Sequence, residues 1–195
     1  MIETERLLIR DFTPADLDAL ATMRADEEVA KYIGTTRMQT RAKVEERLKF
    51  YLSCYEKYGF GVSGVIYKQD GKLIGWSGLQ PLEDSDQIEV GYGFDKPYWR
   101  QGFATEVAAA WLRYGFEHVG LERIVAVAVP ENYPSRHVME KLGMKFEKYA
   151  HYYGLECVFY AITRAEFVPV DSFYVLHNSR DERFSSDEGF SRRQV

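Results

Sequence analysis

Residues Ile88–Val107 read IEVGYGFDKPYWRQGFATEV, and the reading of this stretch decides the fold. Ile88, Val90, Tyr92 and Phe94 alternate with Glu89, Gly91, Gly93 and Asp95, the period-2 pattern of a strand with two different faces. Pro97 ends the strand, because proline has no N–H to give to a sheet ladder. Trp99-Arg100-Gln101-Gly102-Phe103-Ala104 then makes a tight turn, and a helix starts at once, with Val107, Trp111, Tyr114 and His118 on one face. A strand, a small-residue turn and a helix N-terminus form an anion site: free backbone N–H groups and the positive end of the helix dipole point the same way. Gly102 lets the backbone approach a ligand closely, Ala104 keeps the first turn uncluttered, and Arg100 and Lys96 add positive charge. The ligand such a turn suits is a diphosphate. Gly-Lys-Ser/Thr does not follow, and no second glycine sits two residues before Gly102, so neither the nucleoside-triphosphate loop nor the dinucleotide fingerprint is present.

At 195 residues with 46% hydrophobic content, the chain is expected to form one domain with a substantial core. Its net charge of −5 argues against a nucleic-acid binder that works through a basic surface. No run approaches the ~20 apolar residues of a membrane span. Met1–Arg6 lacks a basic segment followed by an apolar one, so the expected location is the cytoplasm, without membrane partners. Cys54 and Cys157 stand far apart in apolar surroundings and read as reduced, buried thiols. His118, His137, His151 and His177 have no metal-ligand spacing, and no metal is expected.

Along the chain, Glu5–Phe12 reads as a first strand, and Thr13-Pro14-Ala15-Asp16 as a helix start whose face continues through Leu17, Leu20 and Met23 or Arg24. A second helix is expected from about Thr40 to Tyr58, striped by Val44, Leu48, Tyr51, Leu52 and Tyr55 and ended by Gly59. Gly59–Lys68 and Lys72–Leu79 read as a hairpin around Asp70-Gly71. After the central strand, turn and helix, Arg123–Val129 is an apolar strand, and Asn132–Gly143 a short helix with Asn132 or Tyr133 near its cap. Met144–Tyr149 and Glu156–Thr163 are strands around a turn at His151–Gly154. Residues 168–195 read as a linker and a polar, solvated tail of unknown role. Within them Phe173, Tyr174, Val175 and Leu176 form a docking element for the domain or for a second copy of the chain, which makes a homodimer plausible.

Gly102 and Ala104 match the acyl-CoA loop of the GNAT N-acetyltransferases, Arg/Gln-x-x-Gly-x-Gly/Ala, which the turn resembles; Trp99 departs from the pattern's first position. Tyr-Trp-x-x-Gly-Phe-Ala-Thr-Glu is similar to the RimJ/RimL branch, named for acetylating ribosomal-protein N-termini. The opening Glu-Thr-Glu-Arg-Leu-x-Ile-Arg resembles the same branch. Asn132-x-x-Ser135-x-x-x-Met139-x-Lys141-Leu142-Gly143-Met144 resembles a second family motif. The element order matches the family over residues 1–167, which implies a GNAT domain there. The implied fold is α/β (α+β), with a mixed, mostly antiparallel central sheet of about seven strands flanked by about four helices.

The resemblance implies transfer of an acetyl group from acetyl-CoA to a primary amine by direct attack. Glu89, on the central strand, is the candidate base, on whichever face of the strand a family bulge would leave it. Many members use a tyrosine acid where this chain has Met139, whose thioether has no proton to give; Ser135 is the candidate donor to the leaving sulfur, ahead of Tyr133 and Tyr152. Trp99, Arg100, Gln101, Gly102, Phe103, Ala104 and Thr105 would hold the pyrophosphate. Asn132 and Ser135 would contact the pantetheine side, and the backbone N–H of Phe94 or a neighbour would face the thioester oxygen. Tyr32, Arg37, Tyr51 and Tyr55 fall in the acceptor region. The implied acceptor is a protein N-terminal α-amine; a polyamine, an amino acid or an aminoglycoside stays open. A strongly cationic acceptor would need carboxylates, for which Glu83-Asp84-Ser85-Asp86 and Asp26-Glu27-Glu28 are the sources in sequence. A rival of another class is a domain that binds acyl-CoA without turnover.

Overall fold

Among the described residues nine strands form one sheet in the order β7-β8-β6-β5-β4-β3-β2-β1-β9, antiparallel throughout except where β5 meets β6. The structure is a computed structural model and describes residues 1–33, 39–83, 85–169 and 172–177. In chain order the elements are β1 (Ile2–Thr4), β2 (Leu7–Arg10), α1 (Leu17–Ala25), α2 (Glu27–Ala30), α3 (Arg41–Tyr58), β3 (Val62–Tyr67), β4 (Leu73–Pro81) and β5 (Ile88–Phe94). Then come α4 (Phe103–Tyr114), β6 (Arg123–Ala128), α5 (Tyr133–Lys141), β7 (Lys145–Tyr152), β8 (Leu155–Thr163) and β9 (Tyr174–Leu176).

The local rules place the helices. Asp16 bonds both the backbone and the hydroxyl of Thr13 ahead of α1; Thr40 caps α3, and Gly59 ends it with φ 74°. The sheet has two strands and one helix more than the pattern predicts. β1 and β9 have three residues each and α2 has four, too few to display a period. β9 falls in the stretch expected to be linker and tail. Backbone pairing holds it, with Ile2 opposite Leu176 and Thr4 opposite Tyr174, and His177 bonds Glu3 at 2.9 Å. Phe173–Leu176 thus docks on its own sheet, with Phe173 and Val175 left exposed.

Two apolar layers cover the sheet. On one face α4 sets Phe103, Val107, Trp111 and Leu112 against Leu7, Ile9, Val65, Leu79, Val90 and Ile124. On the other, α1 and α3 bury Leu20, Met23, Val44, Leu48 and Tyr51 against Val62 and Trp76. No helix among the described residues is long and apolar enough to cross a membrane.

The sheet opens at its parallel pair. β5 and β6 are joined at one register position, Glu89 opposite Val125, and past it the ladder stops. On its other side β5 stays in unbroken register with β4, from Pro81 opposite Ile88 to Gly75 opposite Phe94, with no bulge. Asp95 N–H donates to Ile74 O at 2.9 Å. Antiparallel alternation therefore directs the N–H groups of Tyr92 and Phe94 away from β4 and into the opening. The same register puts Glu89 beside Gln80 on the α1/α3 face. Gly93 lies against Trp76 there, so close that a Cβ would stand 2.2 Å from the indole.

Candidate active site

A cavity of about 130 Å³ runs through this opening, walled by Val90–Tyr92 of β5 and by Val127–Val129 at the end of β6. Because it passes through the sheet, it joins groups from both faces. Glu89, Gln80 and Arg24 come from the α1/α3 side; Ser135, Asn132 and Met139 come from α5. A larger cleft of about 890 Å³, lined in part by Arg47, Glu83 and Asp86, adjoins it and shares Arg47, Gln80 and Tyr153.

Glu89 is 4% exposed. Gln80 Nε2 donates to its Oε1 at 2.6 Å, and Tyr153 Oη donates to the same oxygen. Burial pushes the carboxyl above its ordinary value, while these two bonds and the charge of Arg47 pull the other way. Tyr153 reaches Glu89 from the β7–β8 turn, where it takes φ 56° and its N–H bonds Glu83. Gln80 and Tyr153 escape a sequence reading, since they lie 9 and 64 residues from Glu89. Only the antiparallel register of β4 and β5 could have suggested Gln80.

Ser135 sits in the first turn of α5. Asn132 caps that helix, its Oδ1 accepting from Ser135 N–H at 3.2 Å. The Ser135 hydroxyl lies 3.0 Å from Tyr92 Oη, which is also 3.2 Å from the Ser135 carbonyl. Tyr92 is a further site residue that the pattern assigns only to strand alternation. Its phenol is pushed upward by burial, so it keeps its proton. Met139 is buried beside it, Tyr133 is 68% exposed, and Tyr152 lines the cavity. Cys157 also lines it, but burial raises its thiol, as it does that of Cys54, which disfavours either as a nucleophile.

The turn before α4 is built as its sequence suggests. Gly102 caps the helix at φ 82°, and Arg100 takes φ 60°. Arg100, Gln101 and Gly102 are exposed, and Ala104 and Thr105 half-buried. Gln101 Nε2 bonds Pro97 O at 2.8 Å. The side chains of Phe94 and Phe103 are core, their rings 6.1 Å apart, so both could meet a ligand only through the backbone. Trp99 donates from its indole to Phe94 O at 2.7 Å and ties the turn to the strand. Lys96, expected to add charge to the turn, is instead paired with Glu28 at 2.5 Å. Asp26 caps α2 and Glu28 holds Lys96, and none of Asp26, Glu27 and Glu28 lines the cleft. Of the other acidic stretch, Glu83 and Asp86 line the larger cleft and Asp84 lies outside the described residues.

Of the acceptor-region residues, Tyr32 lines the cavity and Tyr51 bonds Arg24 at 3.1 Å. Tyr55 is turned away to Ser63, at 2.5 Å, and Arg37 lies outside the described residues. No three His, Cys, Asp or Glu side chains among the described residues are grouped to hold a metal ion.

Residues 6–145 match the family model described as acetyltransferase (GNAT) domain. YnaD of Bacillus subtilis, an uncharacterized N-acetyltransferase, is 35% identical over 146 residues, spanning 75% of this chain and 83% of that one. YoaA of the same organism, of the same description, is 32% identical over 149 residues, 75% and 84% of the two chains. The crystal structure of a GNAT-family acetyltransferase from Bacillus anthracis superposes with TM-score 0.73 at 32% identity, covering 85% of this chain and 99% of that one. The chain belongs to the GNAT acetyltransferase family. It is an acetyl-CoA-dependent N-acetyltransferase, and the cavity between β5 and β6 is the place to look for its chemistry.

Proposed function

We propose that this enzyme moves the acetyl group directly from acetyl-CoA to a primary amine held beside Glu89, with the thioester lying in the gap between β5 and β6. The observation that carries the reading is one cavity with a buried carboxylate on one side of the sheet and the Ser135 hydroxyl on the other. Glu89 takes the proton that the amine must lose before it attacks; its raised pKa brings it nearer to the working pH. The N–H of Phe94, not bonded to β4, donates to the carbonyl oxygen as charge develops on it. Tyr92 has one hydroxyl hydrogen and two acceptors in Ser135, so the Ser135 hydrogen is free to turn to the leaving thiolate. The N–H groups from Arg100 to Thr105 hold the pyrophosphate, assisted by the Arg100 side chain, while the Trp99 N–H is taken by Lys96 O at 3.2 Å; the Asn132 amide, with its oxygen engaged in the cap, offers its NH2 to the pantetheine.

The acceptor has two readings. The RimJ/RimL-like sequence around Trp99 favours a protein N-terminal amine. A ribosomal-protein-S5-alanine acetyltransferase from Vibrio fischeri has TM-score 0.67 at 20% identity. A spermidine N-acetyltransferase from Vibrio cholerae has 0.68 at 18%. Likenesses at this identity carry the fold and leave the acceptor open. The buried guanidinium of Arg24 in the cavity wall favours a small molecule, and that is the reading we adopt. A cytoplasmic location accords with the two free cysteines.

Thiol release from acetyl-CoA with α-amino acids, polyamines, aminoglycosides and peptides tests the reading. Release with a small amine supports it; release only with peptides returns the acceptor to protein N-termini. Gly102→Val is expected to raise the Kd for acetyl-CoA roughly 10-fold, since it forces a branched side chain into φ 82° at the exposed turn. Unchanged affinity would remove the pyrophosphate from this turn.

A further inference from the structure

Arg24 is 2% exposed and forms no ion pair among the described residues. Its Nε donates to Gln39 at 2.8 Å and its Nη1 to Tyr51 Oη at 3.1 Å, and the guanidinium lies 4.6 Å over the Trp76 ring. Those two bonds use two of five N–H donors; Nη2 has no partner among the described residues. The contrast within the chain is clear, since Arg6, Arg10, Arg41, Arg113, Arg123 and Arg164, all more accessible, each meet a carboxylate. A guanidinium serving only to brace α1 would be expected to bring its counter-ion with it, because a buried unpaired charge is costly. Arg47, which also lines the cavity, is held over aromatic rings and likewise has no carboxylate partner among the described residues.

A second unsatisfied group lines the same cavity. Gln80 turns its Nε2 to Glu89, as it must, because a carboxylate can only accept; its Oε1 is buried with no partner among the described residues. Beside the base there is thus an acceptor lacking a donor, and in the same cavity a planar cation lacking an anion, among the described residues. A primary amine that also carries a carboxylate completes both. Its N–H meets Gln80 Oε1 while Glu89 receives the proton, and its carboxylate takes the Arg24 fork.

We propose that the acceptor is a free α-amino acid, with Arg24 as the site of its carboxylate and Gln80 as a positioning residue for its amine; this rests on the transferase reading above. A polyamine lacks the anion, and a peptide N-terminus carries an amide in place of the carboxylate.

The test compares ligands that differ only in that charge. α-Amino acids, their α-carboxamides and a polyamine are titrated calorimetrically into the wild-type protein saturated with CoA, and thiol release is measured in parallel with acetyl-CoA. At least one amino acid should bind, with its carboxamide weaker on the order of 10- to 100-fold. Arg24→Lys keeps the charge but loses the fork. It should raise KM for the amino acid with kcat and acetyl-CoA affinity kept, and should leave carboxamide binding unmoved. A thermal melt of Arg24→Lys shows whether the buried site still folds, and the wild-type comparison stands without it. Carboxamides or the polyamine binding as tightly as every amino acid would overturn the proposal, as would no amino acid binding at all. Failure of acetyl-CoA itself to bind would bring down the underlying transferase reading and the proposal with it, and is read separately.

Discussion

Replacing Glu89 with glutamine lowers kcat by roughly 100- to 10,000-fold, the usual span for a general base, and leaves acetyl-CoA affinity unchanged. The isostere can still accept from Gln80 and Tyr153 through its oxygen, so the loss reports proton transfer rather than collapse of the wall. The pH profile carries the sign. Burial holds the Glu89 carboxyl above its ordinary value, and the base works ionised, so wild-type kcat/KM falls as pH drops through that raised value. In Glu89→Gln this acid limb disappears. Stability moves oppositely. A carboxyl whose folded pKa is raised contributes stability below its unfolded pKa and loses it as pH rises through the folded one. Above that point the ionised side chain is a cost that glutamine does not carry. Melting temperatures of the two proteins should therefore diverge in favour of Glu89→Gln as pH rises above the ordinary carboxylate range. A variant that keeps its rate would exclude Glu89 as the base.

Glu106→Ala should be the most damaging change outside the cavity. This carboxylate, in the first turn of α4, accepts from Thr4 Oγ1 at 2.6 Å, from Arg6 N–H at 2.9 Å and from Arg6 Nε at 2.7 Å. It clamps the β1–β2 turn to the helix whose N-terminus is the proposed pyrophosphate site. Arg6 in turn donates to Gln101 O at 2.8 Å, so the same clamp holds the turn that precedes α4. Arg6 is 40% exposed, which limits the worth of the ion pair itself. The Thr4 hydroxyl is buried and would lose its partner on Glu106. We expect a loss of about 2 kcal/mol, which for a domain of this size lowers Tm by roughly 4–8 °C. Acetyl-CoA affinity should fall as well, because the Gln101 carbonyl loses a fixed anchor. Differential scanning calorimetry and an acetyl-CoA titration check the two parts. An unchanged Tm would show that the clamp is dispensable.

Sequence and structure agree where a single local rule decides. The tight turn at Gly102, a helix cap at Asn132 or Tyr133, Gly59 ending α3 and the alternation of Ile88–Phe94 each follow from one or a few neighbouring residues; the fold has the turn, with Gly102 at a positive φ, Asn132 as the cap, and the other two as read. Glu89 marks the boundary of that kind of inference. Its place in the strand is legible, but the face it takes depends on whether a bulge interrupts β5, and only the register with β4 answers that. What keeps Glu89 company is less legible still. Gln80 comes from a neighbouring strand and Tyr153 from a distant turn, and neither lies in a motif. Arg24 illustrates the hardest case. In sequence it is only an alternative to Met23 for continuing the helix face; in the fold it is buried among Gln39, Tyr51 and Trp76. Lys96 errs the other way, since a lysine beside an anion turn suggests a ligand contact and Glu28 takes it. Long side chains choose partners across the whole surface, and spacing along the chain does not limit that choice. β9 escaped for a backbone reason: three residues in a polar context become a strand only because β1 offers an open edge.

The most direct measurement is the pH dependence of thiol release from acetyl-CoA, with the best small amine acceptor, by the wild-type protein and by Glu89→Gln. The account predicts release that depends on the amine, falls toward acid pH in the wild type, and drops by at least about 100-fold with no acid limb in the variant. Equal rates and equal profiles for the two proteins, or thiol release that proceeds as fast without any amine, would contradict it.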